Sequence, residues 1–227
     1  MTKHIATGCL RVKEKPSSAG QLTYIFKNDF FEILETSEDG LWLKVLVTGG
    51  VEGWISKSNW FKPVPQEDIA KMVDPPWLTI ALDERKKGVA EIPGPGANPR
   101  IVEYLKTTTL PPVAAESDET HWCSAFVNWC FEQCGIKGIG SPAAQSWLGF
   151  GDGMAIPRKG CVVVFNRPPD PFSGHVAFYI GDAPGKHGGD IAVLGGNQGD
   201  AITIATYPRK RLLGFRWPGK EDYPDNG

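Results

Sequence analysis

The sequence predicts a small all-β domain followed by an α+β domain. Short strand patterns separated by tight turns run from about residue 5 to residue 62. Helical patterns then extend from Pro76 to about Gly135, and strand patterns dominate from Gly160 onward. Helices that precede an antiparallel-looking sheet are typical of the α+β class. We expect four segments along the 227 residues: a first domain 1–63, a linker 64–75, a second domain 76–220 and a polar tail 221–227.

The composition argues against several classes of function. The formal net charge is −2, so general attraction to nucleic acid or to anionic lipid is not expected. Segment 1–6 lacks the apolar core of a signal peptide, and no window approaches the length of a membrane span. The five cysteines are an odd number and lack the regular spacing of a secreted disulfide scaffold.

The first domain is predicted from short strands with turn signals between them. Alternating or apolar runs are followed by Gly- and Pro-containing turns, and Gly49-Gly50 is expected to close a hairpin. The predicted strands are Leu10–Lys13, Phe30–Glu35, Trp42–Val47 and Glu52–Ile55. The order of these runs resembles a bacterial SH3-like domain, a small barrel. The resemblance implies either binding to peptidoglycan or a purely structural role beside a catalytic domain, and both alternatives stay open.

Local signals predict four helices in the second domain. Gly88 marks the end of a first helix that begins near Pro76, and Asn98-Pro99 is a cap followed by a first-turn proline. A strongly apolar central helix is expected to be capped by Asp118 or Thr120 and to end near Gly135. Ser141-Pro142 repeats the cap signature before a short helix.

The first turn of the central helix carries the most reactive residue type in the chain. Cys123 is placed where unpaired backbone N–H groups and the helix dipole favour a thiolate. Spacings of seven and four residues put Cys130 and Cys134 on the same helix face, too far from Cys123 along the axis for an undistorted disulfide. These two cysteines and Cys161 are interpreted as core thiols, and Cys9 as a residue of the first domain.

A histidine and an amide complete the candidate constellation. His175 is at the start of a predicted strand and can act as the base for a thiol. His121 is the weaker candidate for the base, because side chains two residues apart on a helix, such as His121 and Cys123, point away from each other. Asn197, in a glycine-rich turn, is the preferred group to orient the imidazole, although a structural turn asparagine explains it too. Gln198 and Asp182 are weaker alternatives for the orienting group.

Three motifs carry a family resemblance across residues 76–218. Trp-Cys-Ser-Ala-Phe-Val-Asn-Trp-Cys, Gly-His-Val-Ala-Phe-Tyr and Gly-Gly-Asn-Gln, in that order, resemble the CHAP/NlpC-type papain-like cysteine amidases and peptidases. Glu91-Ile92-Pro93-Gly94, followed by Asn98-Pro99 and Tyr104, is similar to one subgroup of these cell-wall hydrolases. The resemblance implies helices packed on an antiparallel sheet. It also implies that Cys123 is the nucleophile, His175 the base and then acid, and Asn197 the orienting residue.

Two positions depart from the family pattern. The Asp-Cys or Gln-Cys that usually carries the nucleophile is Trp122-Cys123, and the acidic residue that many CHAP enzymes carry two positions before the asparagine is Gly195. The identity of the third catalytic residue therefore stays open, and catalysis could rest mainly on the Cys–His pair.

The resemblance implies a peptidoglycan hydrolase that cuts an amide bond through a thioester, with no metal or cofactor. Tyr104, Gln145 and Trp122 are expected to line the substrate cleft. The expected partners are the peptide part of peptidoglycan and a cognate inhibitor protein. Without a signal peptide, we expect cytoplasmic synthesis and action on the wall after lysis, as for an endolysin, or after non-classical delivery. The alternatives are a non-catalytic wall-binding protein and a papain-like deamidase or acyltransferase acting on protein.

Overall fold

A computed structural model describes residues 3–17, 20–25, 29–47, 51–64, 74–183, 189–221 and 223. The chain divides into two compact units, Met1–Val73 with Gly181–Gly189, and Asp74–Ile180 with Asp190–Gly227. Most of the predicted linker 64–75, the Gly49-Gly50 turn and most of the tail 221–227 lie outside the described residues.

The first unit contains a five-stranded antiparallel sheet in the order β6-β5-β4-β1-β7, and a separate pair formed by β2 and β3. Along β5 every second residue is buried, which matches the alternation of apolar residues in the sequence. The buried side chains, Val12, Ile25, Phe31, Val45 and Ile55 among them, form one core. The strands are β1 Lys3–Ala6, β2 Leu10–Val12, β3 Thr23–Ile25, β4 Phe30–Thr36, β5 Trp42–Val47, β6 Val51–Ser56 and β7 Phe61–Pro63.

The second unit begins with helices and ends with a sheet, so the predicted α+β class is confirmed. Proline occupies the first turn of three helices, where its missing N–H is not needed. The side chain of Asn98 accepts a hydrogen bond from Arg100 N at 2.9 Å, as the cap signature predicts. The helices are α1 Pro76–Lys86, α2 Pro99–Leu105, α3 Pro112–Ala115 and α4 Cys123–Glu132, with 3-10 turns at Ala144–Gly149 and Arg209–Arg211.

A six-stranded antiparallel sheet in the order β12-β11-β10-β9-β13-β8 forms the other layer. All residues of α4 from Cys123 to Phe131 are buried, as are Val162–Phe165 on β9 and His175–Ile180 on β10. The catalytic candidates therefore lie within the core layer of this unit. The strands are β8 Asp152–Met154, β9 Val162–Arg167, β10 Asp170–Ala183, β11 Asp190–Gly195, β12 Thr203–Pro208 and β13 Leu212–Trp217.

The start of α4 differs from the prediction. The cap position is Trp122, whose side chain makes no capping hydrogen bond. The hydroxyl of Thr120 donates to Ala114 O at 2.7 Å, and Asp118 accepts from the N–H groups of Ile92 and Asn98 at 3.0 and 2.8 Å. Both predicted caps are thus used to fix neighbouring segments, which leaves the first N–H groups of α4 for the site.

The segment after Ser141-Pro142 also differs in detail. It forms a 3-10 turn over Ala144–Gly149, and Ser141 Oγ accepts from Ala143 N at 3.2 Å in place of an α-helical cap.

A buried carboxylate joins α1 to α2. Glu84, 2% exposed, accepts two hydrogen bonds from the Arg100 guanidinium at 2.7 Å each, and also accepts from Lys87 and from the Tyr104 hydroxyl. Burial by itself raises the pKa of Glu84, but these hydrogen bonds outweigh it and lower the pKa to about 2. The Tyr104 ring is completely buried beside this network. Tyr104 therefore fixes the helical layer and does not line an open cleft.

Candidate active site

Cys123 is the first residue of α4, and its side chain is 5% exposed. Burial raises the pKa of the Cys123 thiol. The backbone N–H groups of Val176, Ser124 and Cys123 itself, together with the positive charge of Arg167, act in the opposite direction. Because burial prevails, the resting group is a neutral thiol. It needs a base to become a nucleophile, and the N–H groups around it stabilise the charged form once that form appears.

His175 lies on β10 directly opposite Phe165 of β9 and is completely buried. Its Nε2 atom is 3.0 Å from Oε1 of Gln198. Gln198 donates its own Nε2 hydrogens to Thr203 O at 2.6 Å, so its oxygen is the atom that faces the ring. This network assigns the proton to Nε2 of His175 and leaves a lone pair on Nδ1.

The imidazole is kept neutral by its surroundings. Burial lowers the pKa of His175 to about 4; the hydrogen bond to Gln198 counteracts this, whereas the charges of Arg167 and Arg211 add to it. The ring stacks on Tyr207 with centroids 4.9 Å apart and planes 14° from parallel. A neutral imidazole with a fixed tautomer is the form that a general base requires.

The structure brings Cys123 and His175 into the same buried surroundings. One of the N–H groups that lower the pKa of Cys123 belongs to Val176, the residue after His175. The pKa of Tyr207, which stacks on His175, is raised by burial and then by the charge of Cys123. Among the described residues, Nδ1 of His175 has no hydrogen-bond partner, so the thiol–imidazole hydrogen bond is not formed in this structure. Nδ1 is therefore the ring atom available to the thiol.

The expected contact between Asn197 and the imidazole is not made. Asn197 adopts the left-handed backbone conformation, with φ at 55°, and its Nδ2 donates to Glu91 Oε1 at 2.8 Å. The next residue, Gln198, then turns its side chain to His175. The side chain that contacts the imidazole is thus that of Gln198, one of the two weaker candidates. His121 and Asp182 are exposed.

Glycine at position 195 fits this arrangement. A Cβ there would lie 2.9 Å from Cβ of Ala177 and 3.2 Å from Oε1 of Gln198. A side chain at position 195 would therefore crowd Ala177 and the amide that contacts the imidazole.

Of the three residues predicted to bind substrate, two are buried and the third is held by hydrogen bonds to the backbone. Tyr104 and Trp122 are completely buried. Gln145 donates through Nε2 to Pro171 O and Ser173 O, both at 2.8 Å. Neither the Tyr104 nor the Trp122 ring reaches the surface, and a role for these residues in binding substrate stays a prediction. Gln145 instead fixes the segment that leads into His175.

Two site residues were missed by the sequence analysis. Tyr207 lies on β12 and reaches His175 only through the pairing of distant strands. Glu91 was noted within a family motif but without a function; its Oε1 accepts from both Trp122 and Asn197. The signal for Glu91 was its place in that motif, whereas no local pattern marked Tyr207.

Neither a metal cluster nor a membrane helix is found in the part of the chain that the structure describes. No group of three or more histidine, cysteine or acidic side chains is arranged to hold a metal ion there. Within the same residues, no helix has both the length and the apolar character needed to cross a bilayer.

The second unit is an α+β domain with a cysteine at a helix start and a buried histidine. Residues 115–198 match the family model of the CHAP domain, and residues 9–60 match that of the bacterial SH3 domain. These matches confirm the resemblance predicted from the motifs.

Solved structures similar to this chain include NlpC2 and NlpC1 from Trichomonas vaginalis and an NlpC/P60 endopeptidase from Photobacterium damselae subsp. piscicida. NlpC2 shares 15% identity at a TM-score of 0.36, covering 95% of this chain and 72% of that chain. NlpC1 shares 15% at a TM-score of 0.32, covering 95% and 69%. The endopeptidase shares 12% at a TM-score of 0.28, covering 93% and 65%. Among curated proteins, no sequence matches the chain.

The contact between Gln198 and His175 gives a prediction. In Gln198→Glu a carboxylate replaces the amide 3.0 Å from Nε2, so we expect the pKa of His175 to rise by about one to three units from its value near 4. The measurement is a nuclear magnetic resonance titration of the imidazole signal that is missing in a His175 variant. Gln198→Ala, which adds no charge, should not raise the pKa. Equal values in the two variants would contradict the assigned contact.

Proposed function

We propose that this protein is a cysteine peptidase or amidase that hydrolyses an amide bond in the peptide part of peptidoglycan. The observation that carries the proposal is a buried helix-start thiol in contact with the backbone N–H of Val176, next to a neutral imidazole whose Nδ1 is free and whose Nε2 proton is held by Gln198. The CHAP and bacterial SH3 matches support the cell wall as the destination.

The first half of the reaction forms a thioester. Nδ1 of His175 takes the thiol proton as Cys123 Sγ attacks the carbonyl carbon, and the carbonyl electron pair moves onto oxygen. In this proposal the Cys123 N–H at the start of α4 donates to the oxyanion. When the tetrahedral intermediate collapses, the carbon–nitrogen bond breaks and the leaving amine takes the proton from Nδ1.

The second half returns the enzyme to its starting state. Nδ1 takes a proton from water as the water oxygen attacks the thioester, and collapse releases a carboxylic acid and Cys123, which recovers its proton. Oε1 of Gln198 accepts a hydrogen bond from Nε2–H of His175 throughout both halves of the reaction. The imidazole therefore keeps one orientation while Nδ1 gains and loses a proton. Hydrolysis needs only water as co-reactant.

Product analysis tests the proposal. Peptidoglycans of several cross-link chemistries are digested with the wild-type protein and with Cys123→Ala, and the soluble fragments are analysed by mass spectrometry. We expect a new amine and a new carboxylate at one peptide bond with the wild type only, which also identifies the bond. Peptidoglycan left intact by the wild type across all chemistries would overturn the wall-hydrolase proposal and direct the search to protein substrates.

A further inference from the structure

One carboxylate oxygen links the segment before the nucleophile to the turn that holds the histidine. Oε1 of Glu91 accepts a hydrogen bond from Nε1 of Trp122 at 2.8 Å and another from Nδ2 of Asn197 at 2.8 Å. Trp122 immediately precedes Cys123, and Asn197 immediately precedes Gln198. Glu91 thus contacts a direct chain neighbour of the nucleophile and a direct chain neighbour of the histidine's partner.

The backbone holds Glu91 in this place. Its N–H donates to Asp200 O at 2.8 Å, and the preceding residue, Ala90, forms an antiparallel bridge with Ala201. Ala201 in turn accepts from Gln198 N at 3.0 Å. The backbone around Glu91 is therefore bonded to the end of the turn, at Asp200 and Ala201. The Glu91 carboxylate contacts the start of the same turn, at Asn197.

The two linked segments also pack directly on each other. A Cβ on Gly196 would lie 2.3 Å from Cζ3 of Trp122, so the indole rests on bare backbone of the turn. Trp122 is completely buried and its only polar side-chain atom donates to Glu91. The packing of Trp122 on Gly196 sets the distance between the two segments. The two hydrogen bonds to Glu91 set their relative orientation.

We propose that Glu91 is a positioning residue that sets the separation of Cys123 and His175 through Trp122 on one side and through Asn197 and Gln198 on the other. The inference rests on the proposed function for its kinetic readout. At the turn itself Gly195 replaces the acidic residue expected there from the family pattern, and Glu91 brings a carboxylate to the turn from a distant segment. The acceptor oxygen, and not the negative charge, is the feature that both donors use.

The kinetic test compares two substitutions at this position. Glu91→Ala removes both hydrogen bonds and is expected to lower kcat about 10- to 100-fold with little change in KM. Glu91→Gln keeps an acceptor oxygen and should recover most of that loss. The matched control is Glu103→Ala: Glu103 also accepts from a tryptophan indole, that of Trp129 at 3.1 Å, but has no bond to the turn. Its kcat should stay within about twofold of the wild type.

A double substitution separates positioning from general destabilisation. If Glu91 acts through the Gln198 turn, the double variant should have a kcat less than about threefold below that of Gln198→Ala alone. If the two residues act independently, the losses in kcat of the two single variants should multiply. Wild-type kcat in Glu91→Ala, or an equal loss in the Ala and Gln variants, would overturn the inference.

A second readout does not depend on the substrate. The rate at which iodoacetamide alkylates Cys123, followed by peptide mass spectrometry against pH, reports how readily the thiol gives its proton to the site. We expect Glu91→Ala to slow this alkylation and Glu91→Gln to restore it. If the wild type cleaves no peptidoglycan, the proposed function fails while this measurement still judges Glu91. An unchanged alkylation profile in Glu91→Ala would reject the positioning role.

Discussion

Replacing Cys123 with alanine is expected to lower the rate of peptidoglycan cleavage by at least about 10⁴-fold. The substitution removes the atom that forms the thioester, and no other described cysteine lies at the start of a helix beside the imidazole. The change deletes one sulfur from a buried site, so the fold should persist with a modest loss of stability. The measurement is the initial rate of release of new amine termini from peptidoglycan.

Cys134 provides the matched control. It lies just beyond the same helix, is half-buried, and donates its thiol to Cys130 O at 3.4 Å, away from the histidine. Cys134→Ala should therefore keep the wild-type rate within about twofold. Comparable rates in the wild type and in Cys123→Ala would show that cleavage does not pass through this thiol. Wall binding retained by Cys123→Ala, with cleavage lost, would instead separate recognition from catalysis.

The order of elements could be predicted because each depends on local signals. In β5 the alternation of apolar residues follows the two-residue period of a strand, and the Asn98-Pro99 pair encodes the start of α2 within three residues. Cys123 and His175 were likewise predicted as nucleophile and base from motifs that each occupy one element, and their catalytic roles stay a prediction. Such features are determined by neighbouring residues, so they can be predicted without the tertiary structure.

The orienting residue could not be predicted with the same certainty. Asn197 and Gln198 are adjacent amides in one turn, and the choice between them depends on the positive φ at Asn197, which directs one side chain to Glu91 and the next to His175. A turn asparagine tolerates this backbone angle, but the partner of each amide depends on the distant segments that carry Glu91 and His175.

The burial of Tyr104 and Trp122, both predicted to line the cleft, could not be predicted for a related reason. An aromatic side chain near a catalytic motif can line a pocket or fill the core, and the sequence pattern is the same for both. Here the Tyr104 hydroxyl meets the buried Glu84, and the Trp122 indole meets Glu91, so a polar partner for each ring is supplied inside the protein. These partners lie on other helices or loops, and only the tertiary structure brings them together.

His175 provides the second large effect. We expect His175→Gln to lower kcat about 10²- to 10⁴-fold, because a carboxamide cannot take the thiol proton or deliver it to the leaving amine. The variant also removes the Nε2–H that Gln198 accepts and the ring that stacks on Tyr207. The measurement is the same initial-rate assay used for Cys123. Near wild-type cleavage by a folded His175→Gln would exclude His175 as the base.

The same variant carries a signature in stability that is independent of activity. The folded pKa of His175 is about 4, below the ordinary value of about 6.5 that the unfolded chain retains. Between these two values the unfolded chain binds a proton that the folded protein does not, so the free energy of unfolding falls as the pH falls from about 6.5 to about 4. The contribution of this one group over that interval is about 3 kcal/mol.

In His175→Gln this contribution is absent, while every carboxylate that titrates nearby is unchanged. Urea unfolding of both proteins from pH 7 to pH 4 should therefore show a steeper loss of stability in the wild type, with the difference between the two curves growing as the pH falls. Parallel curves would mean that His175 titrates near its ordinary pKa when folded, and the site would then lack the burial that keeps the base neutral. A steeper wild-type curve together with a lost rate would link the neutral imidazole in the core to the proton transfer on which the thioester mechanism depends.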